Sequence, residues 1–146
     1  MEKSWKVGIW KEGKYFDLWH VNHFLAGVLL ACATIIFKID LFWGFVVSFV
    51  LMVAWEFFEY FSKIHETMFN RCMDVILSII SFILIVYLEK YKLTKDQFFQ
   101  IFYVSLVLYI FLELWGFRAY QIAKEAKARL IARAKLKKIA KELDSK

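Results

Sequence analysis

The sequence predicts an all-α integral membrane protein, a bundle of four spanning helices, and three observations carry that expectation. Hydrophobic residues make up 61% of the chain, where a soluble domain is roughly half apolar. No proline occurs anywhere, so long apolar segments have few places to break or kink. Charge is confined to the flanks of the apolar runs, and half of the twenty Lys and Arg residues follow Phe117. The net charge of +6 is therefore distributed as a membrane protein distributes it, which argues against nucleic acid as the partner.

The first span is Leu18 to Phe37, a run without Asp, Glu, Lys or Arg. A helix rising ~1.5 Å per residue covers the ~30 Å hydrocarbon core over such a run. Leu29-Leu30-Ala31-Cys32 has the look of a lipoprotein cleavage box, but the chain carries the segment from Met1 onward and the expectation is a retained helix. The other charge-free stretches, Leu41–Trp55, Val75–Leu88 and Gln97–Leu112, reach spanning length only when acidic positions are included: Glu56 and Glu59, Asp74, and Glu113. Spans are thus expected at 18–37, 41–61, 72–88 and 97–117. They form a transmembrane domain over 1–117 with an N-terminal interfacial arm, followed by a basic helical tail over 118–146.

Orientation follows from Lys and Arg in alternate flanks. Lys3, Lys6, Lys11 and Lys14, then Lys63 and Arg71, then the tail put sixteen on one side, against Lys38, Lys90, Lys92 and Lys95 on the other. Discounting the tail leaves six against four, with the same sign. Both termini are expected in the cytoplasm, and the location is the cell membrane. Trp19, Trp55 and Trp115 near three inner span ends, and Trp43 near an outer one, suit the interface that indole prefers. Trp5 and Trp10 among lysines suggest an arm lying on the inner surface, with a simple soluble arm as the alternative.

Polar residues inside the spans are the most informative feature. His20 and His23 open the first span, Glu56 and Glu59 close the second, Asn70 and Asp74 open the third, and Glu113 closes the fourth. Alternating topology places all seven at one depth, near the cytoplasmic face. The His and Glu pairs are spaced i,i+3 and the Asn–Asp pair i,i+4, so each pair shares a helix face. Asp17, three residues before His20, is placed to accept an imidazole N–H and fix the tautomer. Ionisable groups at membrane depth are costly and turn toward the bundle interior, where they pair or mark a function.

This donor set suits a divalent metal, zinc, iron or manganese, with His20, His23, Glu56, Glu59, Asp74 and Glu113 as candidate ligands. Carboxylate-bridged two-metal bundles use a comparable inventory, although they carry Glu-x-x-His rather than the His-x-x-His and Glu-x-x-Glu found here. Glu56, Glu59 and Asp74 are the candidate acid–base groups. Cys72 is close enough in sequence to Asp74 to offer a thiolate, while His65 and Glu66 read as loop residues. A second reading stays open, in which the acids are ion-paired to Lys63, Arg71 and Arg118 in the headgroup region, or protonated and hydrogen-bonded across helices. No Ser-His-Asp set, Gly-rich phosphate loop or zinc-finger spacing occurs, and nothing points to a redox cofactor.

Asp17-Leu18-Trp19-His20 through Phe24, then Glu56-Phe57-Phe58-Glu59, then Arg71-Cys72-Met73-Asp74 stand in an order that resembles the VanZ-like small multi-span membrane proteins, over roughly residues 17–80. Glu59 stands where the family pattern has glutamine, and Leu77-Ser78-Ile79-Ile80 stands where it has Asn-x-x-Gly. The resemblance implies a role in the cell envelope, as in glycopeptide-antibiotic phenotypes, and no particular reaction.

From Arg118 onward strong helix formers dominate with no breaker, so the fourth span is expected to continue as one long helix. Ala119, Ala123, Ala126 and Leu130, then Ala132, Leu136, Ile139 and Leu143, form two short apolar stripes. The tail can contact anionic lipid headgroups, support a homo-oligomer, or simply enforce orientation as a solvated basic helix. Three functions follow: a metal site acting on a lipid or lipid-linked substrate, a proton or cation relay through the same acids, or a noncatalytic assembly or scaffold subunit. The relay needs polar residues on the outer half, where only Thr34, Ser48, Ser81 and Ser105 occur.

Overall fold

The computed structural model describes residues 18–62 and 67–144. These form four helices in chain order: α1 Leu18–Ile36, α2 Leu41–Phe61, α3 Met68–Tyr91 and α4 Lys95–Asp144. Each is long and apolar enough to cross a bilayer. The N-terminal arm with Trp5 and Trp10, Asp17, and the Lys63–Glu66 stretch lie outside the described residues.

Local sequence sets the helix ends. At the end of α1 the Lys38 N–H reaches the Ile35 carbonyl at 3.1 Å and the Ile39 N–H reaches the Thr34 carbonyl at 2.9 Å, the paired bonds of a Schellman stop. Lys38 adopts the left-handed conformation, φ 53°, that glycine usually fills there. Two residues later the Asp40 side chain caps α2, accepting from the backbone N–H of Phe42 at 3.1 Å and of Trp43 at 3.3 Å. The Thr67 hydroxyl caps α3 by accepting from the Asn70 N–H at 3.2 Å. α4 opens with a reciprocal capping box, in which Gln97 Oε1 accepts from the Thr94 N–H at 3.0 Å and Thr94 Oγ1 accepts from the Gln97 N–H at 3.4 Å.

α2 matches its expected span end to end, and α1 stops one residue short of Phe37. α3 runs four residues earlier and three later than the expected 72–88, because Thr67 caps it upstream and charged residues continue the helix past the hydrocarbon boundary. α4 continues unbroken past Phe117, as its helix formers predict, for 50 residues or roughly 75 Å.

α1 is the central helix. It packs most extensively on α3, then on α4 and α2, and half of it is buried against 17% of α2. The polarity of the bundle is inside out. α2 buries Gly44, Ser48, Glu56 and Glu59, while Phe42, Trp43, Val50, Phe57, Phe58 and Phe61 stand exposed. α3 buries Asn70, Asp74, Ser78 and Ser81 along one stripe and presents Ile80 and Ile83 outward. In water this surface would be a continuous apolar patch far beyond what a monomer tolerates; against lipid tails it carries no such cost. The chain is a multi-pass membrane protein. One end of its interior is apolar, with Val28, Ala31 and Cys32 of α1 against Phe82 and Ile85 of α3 and Phe98 of α4. The other end holds the polar residues.

Small residues let the helices approach. A Cβ at Gly27 would meet the Ser78 backbone carbonyl and the Ser81 hydroxyl, whereas one at Gly44 would meet the Thr34 side chain. Backbone cannot rotate aside as a side chain can. Gly27→Ala is therefore expected to lower unfolding stability in detergent by about 1–3 kcal/mol, and Gly44→Ala by less. Equal costs, measured by denaturant titration followed by circular dichroism, would show that the α1–α3 approach is not the tight one.

Candidate functional site

The polar end is assembled by the same close contact. With Gly27 pressed on Ser78, the Ser78 hydroxyl donates to the His23 carbonyl across the helix interface at 2.7 Å, with the Asp74 carbonyl of its own helix as second acceptor at 3.0 Å. One turn earlier on α3, Asp74 is then carried against both imidazoles of α1. Its Oδ1 lies 3.7 Å from His20 Nδ1 and 3.9 Å from His23 Nε2. His20 and Asp74 are fully buried, as is Asn70, one turn before Asp74.

α2 brings the glutamates to the same place. His23 Nε2 stands 3.8 Å from Glu56 Oε1. Glu59, one turn on, accepts a hydrogen bond from the Trp55 indole N–H at 2.9 Å. His23, Glu56 and Glu59 each offer a ligand atom, and these atoms all lie within 4.8 Å of one another. All three residues are buried, so water does not satisfy them as it does surface acids. Ligands about 2.1 Å from a tetrahedral metal are roughly 3.4 Å apart, so the trio would draw together from separations of up to 4.8 Å to coordinate one.

The remaining candidates are placed differently. His20 and Asp74 sit behind this trio, joined to it through His23. Glu113, half-buried on α4, accepts from the Asn22 amide at 3.2 Å and has Tyr109 as its second polar neighbour. It borders the cluster rather than joining the three-ligand group. Cys72 is exposed on α3 and lies outside that group. The guanidinium of Arg71 lies over the Tyr60 ring, 5.1 Å from its centroid. Asn22, Trp55 and Tyr109 are partners that spacing did not single out, although Asn22 could have been found as an uncharged polar residue inside a span.

A cavity of about 170 Å³ adjoins the trio, lined by Trp19, Asn22, His23, Trp55, Glu59, Tyr109 and Glu113 among others. It lies between α2 and α4 with α1 as its floor, because those two helices pack on α1 and make little contact with each other. At the opposite end of the bundle the buried hydroxyls close onto their own helices: Thr34 donates to the Leu30 carbonyl at 2.9 Å, Ser48 to Gly44 at 2.7 Å, and Ser81 to Ser78 at 2.9 Å. Each of these three bonds stays within its own helix.

Fold and site together define a polytopic helical membrane protein with a buried His/carboxylate cluster at one end. No known protein family, no characterised protein and no solved structure matches the chain.

The Ser78 bond anchors the backbone of His23 from a neighbouring helix. Ser78→Ala is expected to cost about 0.5–1.5 kcal/mol in detergent unfolding, near the usual worth of an interhelical hydrogen bond. An unchanged midpoint would mean that the bond adds nothing to the α1–α3 contact.

Proposed function

We propose that His23, Glu56 and Glu59 bind a divalent metal, zinc, iron or manganese, at the cytoplasmic end of the bundle, and that the site acts on a lipid or lipid-linked substrate in the cell membrane. The observation that carries this reading is the trio of buried donors within 4.8 Å of one another, drawn from two helices of a membrane bundle. One imidazole and two carboxylates match the donor preferences of these metals. The indole N–H of Trp55 orients Glu59, and Asp74 stands beside the ring of His23, the supporting contacts that hold ligands in place. Bound there, such a metal supplies Lewis-acid polarisation of a carbonyl or phosphoryl oxygen, or a nucleophilic water at neutral pH.

The neighbouring cavity offers a place for substrate beside Glu59, and its position between α2 and α4, two helices with large exposed apolar surfaces, favours a substrate that arrives within the membrane. The excess of Lys and Arg on the flanks adjoining this end supports a cytoplasmic orientation for it. The VanZ-like order of Asp17, His20, Glu56, Arg71 and Asp74, from which Glu59 departs, agrees with an envelope location. A second reading, an assembly subunit that docks through its basic tail or rests it on anionic headgroups, is favoured by α4 continuing well beyond spanning length.

Elemental mass spectrometry of protein purified in mild detergent without chelator tests the metal. Near-stoichiometric zinc, iron or manganese is expected, absent from a folded Glu56→Ala/Glu59→Ala variant. Trp55→Phe, which removes only the orienting donor, is expected to weaken metal affinity by about tenfold. No metal in the parent even after reconstitution would overturn the reading in favour of the assembly role. Topology has its own test, because Cys72 is exposed near this end while Cys32 is buried. A membrane-impermeant maleimide is expected to label Cys72 in inside-out vesicles and not in right-side-out ones; the reverse pattern would invert the orientation.

A further inference from the structure

We propose that the cavity between α2 and α4 is a binding site for a primary ammonium group, of the kind carried by an aminophospholipid headgroup. This goes beyond the metal reading and needs no metal, since Glu113 and Asn22 lie outside the three-ligand group, with which the cavity shares Glu59 and His23.

The chemistry of the walls selects the ligand. Glu59 and Glu113 place two carboxylates on opposite sides of the cavity, one from α2 and one from α4. Trp19, Trp55 and Tyr109 add aromatic rings, whose electron-rich faces attract a cation. Asn22 supplies the independent observation. It lines the cavity, is 3% exposed, and spends its amide N–H on Glu113, while its Oδ1 has no hydrogen-bond partner among the described residues. A buried amide oxygen left in this way costs free energy that a ligand N–H would recover. The walls thus hold two carboxylates, an amide oxygen and π faces, which favour a cation over an anion, and over a neutral alcohol because an alcohol brings one donor and no charge.

A primary ammonium fits better than a quaternary one. It brings three N–H donors, which two carboxylates and one amide oxygen can accept, whereas a trimethylammonium offers charge without donors. At about 170 Å³ the cavity accommodates an aminoethyl group and not a whole lipid. The lateral gap lets the rest of such a molecule remain in the bilayer. Trp19 and Trp55 also sit near helix ends, at the depth where headgroups and indole rings meet.

Native mass spectrometry of the purified protein tests this against three probes: phosphatidylethanolamine, phosphatidylcholine and free ethanolamine. The unmodified protein is expected to retain phosphatidylethanolamine about tenfold better than phosphatidylcholine, and Glu113→Gln to abolish that preference while leaving metal content unchanged. Competition by millimolar ethanolamine would assign the site to a free amine, and its failure to compete would assign it to the lipid headgroup. Equal retention of the two lipids by the unmodified protein would overturn the proposal, and that measurement requires no variant to fold. A folded Glu113→Gln protein that keeps the preference would overturn it equally. Loss of the preference together with the metal would show that Glu113 acts through the metal cluster and would also count against it.

Discussion

Helices α1 and α3 meet at Gly27 and Ser78 with no room for a side chain between them, and the polar end of the molecule depends on that contact. Close approach lets the Ser78 hydroxyl cross to the His23 carbonyl, which fixes both the rotation and the height of α1 against α3. Once those are set, Asp74 falls one turn from Ser78 and faces His20 and His23 together. A bulkier residue at either position would push the helices apart and lengthen the Asp74–imidazole contacts, which stand at 3.7 and 3.9 Å. In lipid, where apolar surface gains little by leaving its surroundings, such packing of small residues replaces hydrophobic burial as the force that sets helix geometry.

The same solvent explains why the interior is polar. α2, α3 and α4 direct most of their large apolar residues outward and bury small and polar ones, the reverse of a soluble bundle, while the central α1 has no large apolar residue among the exposed ones. Acids and imidazoles have nowhere else to go at this depth, so they converge on the central helix. α1 packs on each of the other described helices, and it carries both histidines of the cluster and Asn22. From one side it receives Asp74, from another Glu56 and Glu59, and from the third Glu113. The apolar half, built on Ala31, Cys32, Phe82 and Phe98, holds the opposite end together and leaves the polar end to be organised by hydrogen bonds and charge.

The spans were legible because hydropathy and charge are read directly along the chain. Leu41–Phe61 is the plainest case. α3 exceeded its expected length because charge marks the edge of hydrocarbon, while Thr67 marks the edge of the helix, and the two differ by about a turn. Spacing also paired His20 with His23 and Glu56 with Glu59 on shared faces. It could not reveal azimuth, the direction in which each helix turns its face. Glu113 lies at the depth expected of it, yet it meets Asn22 rather than the trio, because α4 approaches α1 from the other side of the cavity. Asn22 is about 100° around the helix from His23 and so belongs to a different neighbourhood, which periodicity within one helix does not expose. Trp55 carries its significance only through Glu59, as a donor one turn away that reads in sequence as an interfacial aromatic.

Glu59 belongs to both neighbourhoods, and this ties the two proposed cation sites together. It is one of the three grouped ligands and also part of the cavity wall. A metal drawing on its charge would leave less for an ammonium in the cavity, so electrostatics alone makes the sites compete. Position works in the opposite direction. Either ligand would hold α1 against α2, and Trp55, hydrogen-bonded to Glu59 while lining the cavity, would be ordered by both. Whatever the balance, thermodynamic linkage requires that it be mutual: a headgroup that weakens the metal must be weakened by it to the same degree. Because the shared residue is a carboxylate in a low-dielectric setting, charge would be the stronger of the two effects, and with a metal in place an amine would bind more tightly where Glu113 rather than Glu59 carries most of the contact. An ammonium bound in this way would lie toward α4 and would leave the Glu59 face of the trio to the proposed metal.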